Sequence, residues 1–211
     1  FNMNVHYLSY PNHLFMNEEN KAYSLAIGFF DGVHRGHQAV IGKAFEKSIE
    51  YGLKTAVMTF DPHPSLVLGR SKEEVFYITP LEQKIEILKE LKVDTVFVVR
   101  FTSDFAKLTP LQFIDSFIKK ANVKHVTAGF DFTFGAFGKG TMEEMEQLSS
   151  GEYTVSVVSK QAYEGDKISS TRIREALKTG DLEDVMFLLG RPFMLSGVVV
   201  HGDKRGRTIN F

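Results

Sequence analysis

Apolar positions along the chain fall into short dense runs separated by longer amphipathic stretches. Tyr23 to Phe30 is one such run and reads as a buried strand. Gln38 to Ile49 then switches to helical spacing, with Val40, Ile41, Ala44, Phe45 and Ile49 on one side, and Gly52 suits the end of that helix. Lys54–Phe60, Asp94–Arg100, Lys124–Gly129 and Tyr153–Val158 repeat the apolar run, and Val5–Tyr10 suggests a short edge strand. Helix starts are written between them. Thr79-Pro-Leu-Glu82 predicts an N-cap threonine, a proline at the first position and a glutamate closing a capping box. Thr109-Pro-Leu-Gln112 and Thr141-Met-Glu-Glu144 repeat the pattern. Ile85, Leu88 and Leu91 form the expected inward side of the first of these helices; Phe113, Phe117 and Ile118 form that of the next. Strands that are almost continuously apolar, alternating with helices, predict an α/β fold with a parallel sheet covered on both faces.

Composition narrows the function classes. The 211 residues suffice for a full core, the net charge is −1 and the hydrophobic share is 43%. Such a balance gives no bulk pull toward nucleic acid or a membrane surface. No apolar run is long enough to span a bilayer, and the first residues lack the pattern of a signal peptide. The absence of cysteine excludes a disulfide framework and fits a reducing, cytoplasmic setting.

Candidate chemistry sits in the loops after the strands, where open α/β sheets place ligands. After the first strand come Gly28-Phe-Phe-Asp-Gly-Val-His-Arg-Gly-His37. Backbone N–H groups at the following helix start make an anion site, and His34 and His37, three apart, are expected to point the same way. That suits phosphate, although His-x-x-His also fits half a metal site and polar turn residues. The next strand runs into Asp61-Pro-His-Pro64, a rigid turn or a site. Gly129-Phe-Asp-Phe-Thr-Phe-Gly135 places aromatics between glycines, as a flat ligand would need. Ile168-Ser-Ser-Thr-Arg-Ile-Arg174 offers a helix start capped by Ser169 or Ser170, with two arginines suited to phosphate. Beyond Arg191-Pro-Phe193 the pattern changes: Phe193–His201 alternates like a strand, and Gly202–Arg207 is a basic glycine loop.

Together these motifs resemble the bacterial bifunctional riboflavin kinase/FMN adenylyltransferase family, the FAD synthetases. The resemblance implies a Rossmann-like nucleotidyltransferase domain over residues 1–189, then, over 190–211, the opening strand and loop of a riboflavin kinase β-barrel. It departs near the end: Asn210 stands where the family has glycine, and the kinase's Pro-Thr-Ala-Asn run is missing from the residues shown. The implied reaction joins ATP and FMN to give FAD and diphosphate, with Mg²⁺ carried on the phosphates. The resemblance assigns His34, His37 and Arg174 as catalytic. Gly28, Phe29, Phe30, Gly36, Ser170 and Thr171 would bind ATP; Asp61, Pro62, His63, Pro64, Asp131 and Phe132 would bind FMN. Asp31 is expected to hold the glycine turn, and Arg172 falls on a variable motif position. The competing readings are a nucleotidyltransferase for another phosphorylated metabolite and a non-catalytic flavin or nucleotide-binding module.

Overall fold

A computed structural model describes residues 2–69 and 76–200. Its centre is one parallel sheet of six strands: β1 (Asn4–Leu8), β2 (Tyr23–Ile27), β3 (Lys54–Asp61), β4 (Thr95–Arg100), β5 (Val123–Gly129) and β6 (Thr154–Val158). Their spatial order is β1-β4-β3-β2-β5-β6. From β2 the chain therefore steps one way through β3 and β4, and β5 and β6 build on β2's other side. The order reverses between β2 and β5, and at such a switch point the loops beyond the strand ends diverge and leave a crevice.

The central strands β2 to β5 are largely buried on both faces, which explains their unbroken apolar runs, while the edge strands β1 and β6 are partly exposed. Leu25, Ile27, Met58, Phe60, Phe97 and Val99 pack on one side with Phe113, Phe117 and Met145. Those partners come from α5 (Pro110–Phe113), a wider π-type turn that continues it (Ile114–Lys119), and α6 (Met142–Gln147). Ala26, Val57, Val96 and Val98 pack on the other side with α1 (Arg35–Tyr51) and α3 (Leu81–Glu90). Short helices α2 (Pro64–Leu68) and α4 (Ser103–Ala106) follow β3 and β4. A two-stranded hairpin, β7 (Ala162–Tyr163) and β8 (Asp166–Lys167), leads into α7 (Ser170–Thr179) and α8 (Leu182–Leu189). These two helices pack with Ile78 and Ile168 in a separate apolar cluster.

Several expectations are corrected. In α1 the buried row is Val40, Ile41, Ala44 and Ser48, while Phe45 and Ile49 are 46% and 69% exposed. At 100° per residue Phe45 falls on the flank of the stripe that meets the sheet, and Ile49 beyond that flank toward the outer face. Thr79 does not cap α3; Pro80 does, without a side-chain bond. The Thr79 hydroxyl is instead used by the glycine turn, accepting from Gly32 N at 2.9 Å. The inward row of α3 is Lys84, Ile87 and Leu88, and Leu91 is partly exposed. Residues 193–200 form no strand and are largely exposed, since an isolated strand has no ladder partner. The loop Gly202–Arg207, with His201 and Asn210, lies outside the described residues.

Candidate active site

The turn from β2 into α1 is held in place from four directions. His34 is the N-cap of α1, with extended backbone, and its Nδ1 accepts from His37 N at 3.2 Å. The His34 proton therefore sits on Nε2, leaving that N–H as the ring's donor. The two imidazoles stack, with centroids 3.5 Å apart and planes 18° from parallel. They do face one way, as the spacing suggested, but through a cap and a ring stack rather than two positions of one helical turn. Gly36 makes this possible: a Cβ there would lie 2.8 Å from His34 Cε1. Gly32, with φ of +94°, lets the turn pass Ile78.

Asp31 is the hub of the turn. Its carboxylate accepts from Ile78 N and Thr79 N at 3.1 Å each, and pairs with Arg174 at 2.5 Å. Its carbonyl accepts from the Ser170 hydroxyl at 2.7 Å. Asp31 thereby docks the start of α7 against the start of α1, bringing two helix N-termini to one place. Arg191 adds a further tie, donating to Val33 O at 2.8 Å and to Gly32 O. Gln38 bonds Val33 O and Leu189 O at 2.9 and 2.8 Å.

These groups border a cleft of about 350 Å³ at the β2/β5 switch point. Gly28, Phe29, Phe30, His34, Gly36, His37, Ser170 and Arg174 line it, together with His63, Asp131 and Phe132. Burial, with the nearby Lys167 charge second, pushes the His34 pKa down to about 4. Burial likewise holds His37 well below the usual histidine range, helped by the charges of its cationic neighbours. Both rings are neutral at pH 7 and act as hydrogen-bonding groups rather than fixed charges. His37 Nδ1 is buried and has no partner among the described residues. A buried polar atom without a partner carries a cost that a ligand can remove.

A second chamber of about 310 Å³ adjoins the first. Phe60, Phe101, Phe105, Phe113, Phe134 and Phe137 line it, with Pro64 and Leu68. Phe29, Phe132 and Thr133 belong to both chambers and form the wall between them. A size of this order and a mostly aromatic lining suit a flat apolar ring system.

The residues singled out from sequence thus divide. His34, His37, Arg174, Gly28, Phe29, Phe30, Gly36, Ser170, His63, Pro64, Asp131 and Phe132 are brought to the two chambers. Thr171 is exposed and lies outside the linings. Asp61 and Pro62 border a different depression, beside Tyr7 and Arg100. His63 caps α2, its Nδ1 accepting from Ser65 N at 3.3 Å. Arg172 turns away from the cleft to Tyr163 O and Asp184, at 3.0 Å each. Sequence reasoning missed Lys167, which pairs with Asp131 at 2.5 Å across the cleft's rim. It also missed Lys84, buried behind the turn. Lys167 lies on none of the motifs, and Lys84 shares the inward row of α3 with Ile87 and Leu88, where a lysine gives no sequence signal of function. Among the described residues no group of three or more His, Cys, Asp or Glu is placed to hold a metal ion.

A family model described as FAD synthetase matches residues 16–172. The bifunctional riboflavin kinase/FMN adenylyltransferase of Bacillus subtilis is 50% identical over 99% of this chain and 66% of its own length. The chain belongs to the FAD synthetase family. The enzyme of the same name from Listeria monocytogenes is also 50% identical, over 89% of this chain and 60% of its own length. The chain thus spans about 60 to 66% of the length of these curated relatives. A solved structure of a Streptococcus pneumoniae protein named macrolide-efflux protein superposes with a TM-score of 0.82 at 31% identity. That match covers 95% of this chain and 75% of the other. Among the described residues no helix is long and apolar enough to cross a membrane.

Proposed function

We propose that this chain is an FMN adenylyltransferase, which transfers AMP from ATP to FMN and releases diphosphate. One observation carries the reading: a polar, anion-ready chamber and a phenylalanine-lined chamber share the wall of Phe29, Phe132 and Thr133. FMN has these two characters in one molecule, a phosphate at one end and a flat three-ring system at the other. Family membership supports the same assignment.

In this reading an FMN phosphate oxygen attacks the α-phosphorus of ATP. A bond forms from that oxygen to phosphorus, and the bond from the α-phosphorus to the bridging oxygen breaks. Diphosphate leaves with the electron pair. The FMN phosphate is already mostly ionised at pH 7, so no protein base is needed. The work left to the protein is alignment and stabilisation of charge on phosphate oxygens. The His34 Nε2–H, the His37 ring and the N–H groups at the start of α1 serve the α-phosphate. Ser170, Arg174 and the start of α7 serve the leaving diphosphate. Arg174 is held in position by Asp31 before substrate arrives, as preorganised charge stabilisation requires. The second chamber takes the flavin rings, with His63, Pro64, Asp131 and Phe132 at its approach.

Mg²⁺ fits as a companion of the nucleotide. Asp31 is committed to Arg174 and Asp131 to Lys167, and the ion readily binds through substrate phosphates with few protein ligands. It would supply charge neutralisation on the phosphates. The relatives' kinase activity comes to this protein only as a further proposal: residues from about 190 would open a riboflavin kinase domain that makes the FMN.

The test is incubation of the chain with ATP, Mg²⁺ and FMN, read by chromatography, with riboflavin replacing FMN in a parallel tube. FAD from FMN and no product from riboflavin is the expected result. No FAD, with FMN still bound, would overturn the enzyme reading in favour of a binding module. Turnover of another phosphorylated metabolite instead of FMN would overturn the flavin assignment.

A further inference from the structure

Lys84 is an anomaly of the core. It sits on the inward row of α3 between apolar neighbours and is 5% exposed. Its ammonium donates to Phe29 O at 2.9 Å and to Thr59 Oγ1 at 3.3 Å, both neutral oxygens. The Thr59 hydroxyl itself donates to Phe29 O at 2.9 Å. Among the described residues Lys84 forms no ion pair within 4.0 Å. The acids whose charge reaches it are Asp31 and Asp61, and Asp31 is already matched by Arg174. Burial pushes the Lys84 pKa down, the usual response of an ammonium kept from water.

A buried charge without a matching counter-ion costs stability. Aliphatic side chains of similar length would fill the same space without that cost. The place of the charge suggests why it is kept. The peptide that Lys84 grips, Phe29, is part of the wall shared by the two chambers. The Lys84 charge is felt at His37 and at His63, both of which line the phosphate-side cleft. The ligand-free protein therefore holds a positive charge behind an anion-ready cleft, and no carboxylate among the described residues lies within 4.0 Å of it.

We propose that Lys84 is a positioning residue whose missing counter-charge is the substrate's phosphates. It anchors the Phe29 wall from behind and offers a fixed, dry positive potential to the polyphosphate without touching it. This rests on the reading of the cleft as a phosphate site. The arrangement trades stability of the empty protein for affinity and alignment in the filled one.

The test uses Lys84→Met, which keeps the length and removes the charge, and Lys84→Gln, which keeps a donor for Phe29 O. Ligand-free melting temperature, binding of inorganic diphosphate with Mg²⁺ by calorimetry, and steady-state FAD formation are measured. Lys84→Met should melt above wild type while binding diphosphate about tenfold more weakly, the size of a charge contribution at moderate dielectric. Its kcat should fall while KM for FMN stays near wild type. Lys84→Gln should bind diphosphate as weakly as Lys84→Met, separating charge from anchoring. A purely structural lysine gives the opposite sign: a Lys84→Met protein that melts below wild type or is insoluble overturns the proposal. So does wild-type diphosphate affinity in either variant, or failure of wild type to bind diphosphate. Wild type that binds diphosphate but makes no FAD would sink the adenylyltransferase reading and leave the Lys84 proposal standing.

Discussion

The phosphate chamber and the phenylalanine chamber meet at Phe29, Phe132 and Thr133, but are built from opposite materials. The first is shaped by hydrogen bonds to backbone: Asp31 to Ile78 and Thr79, Ser170 to Asp31 O, and Arg191 to Gly32 and Val33. The second is an unfilled extension of the core, since Phe60, Phe105, Phe113 and Phe134 both line it and belong to the main apolar cluster. Directional bonds fix where donors stand, as stabilisation of developing charge requires. Ring packing fixes a slot and tolerates small shifts of its contents. On the proposed function, chemistry therefore belongs to the first chamber, and recognition of the flat ring to the second.

The comparison breaks at its hub. Asp31→Asn removes the charged partner of the partly exposed Arg174 and weakens the bonds to Ile78 N and Thr79 N, and should cost about 1–3 kcal/mol, the scale of losing charge-assisted hydrogen bonds. A urea titration checks this; a midpoint unchanged from wild type would show that the turn does not depend on the pair. His37→Ala should lower kcat for FAD formation by about 10²–10³, the cost of one transition-state donor, with the flavin KM little changed. Full turnover in that variant would remove the imidazoles from the mechanism.

Acid should strain the phosphate chamber before the other. The His34 pKa is lowered to about 4, chiefly by burial. Between about pH 6.5 and 4 the unfolded chain takes up a proton at this position that the folded protein refuses, so stability falls as pH falls. The His34 share is absent at pH 7 and reaches about 2 kcal/mol at pH 5. Melting curves across that range should show a shallower slope for His34→Gln; an identical slope would mean that the buried ring does not resist protonation. The smallest effect is expected at the shared wall. Phe132→Ala should raise the FMN KM about three- to tenfold, the scale of one aromatic contact, and leave the ATP KM unchanged. Equal changes in both would mean that the chambers are not separate.

Much of the phosphate chamber was legible in sequence because its groups lie close together along the chain. His34, Gly36 and His37 fall within one turn, and Ser170 and Arg174 within another. The four central strands were legible because both faces of each are largely buried. The errors share a cause. Thr79 had the look of a helix cap, but a turn 47 residues away competes for its hydroxyl. Asp61 and Pro62 follow the same strand as His63 and Pro64, yet face another depression. The chain leaves β3 at Asp61 and enters α2 at Pro64, with His63 as its N-cap, and that change of direction separates the two pairs; the pattern of prolines does not reveal it. Phe134, read as an aromatic of a ligand-binding loop, lines the second chamber and also belongs to the core, 6% exposed.

The sequence by itself determined the order of strands and helices, the glycine turns, the caps at Thr109 and Thr141, and the motifs of the FAD synthetase family. These depend on local spacing, conformational preference and short-range hydrogen bonds, which the linear chain carries. Tertiary structure alone decided that Asp31 would join α1 to α7, that the Phe-rich loop would share a wall with the phosphate turn, and that Lys84 would be buried behind it. Each depends on groups far apart in the chain meeting across the reversal between β2 and β5. Burial and a missing counter-ion are properties of that meeting, and no single residue or its neighbours in sequence encodes them.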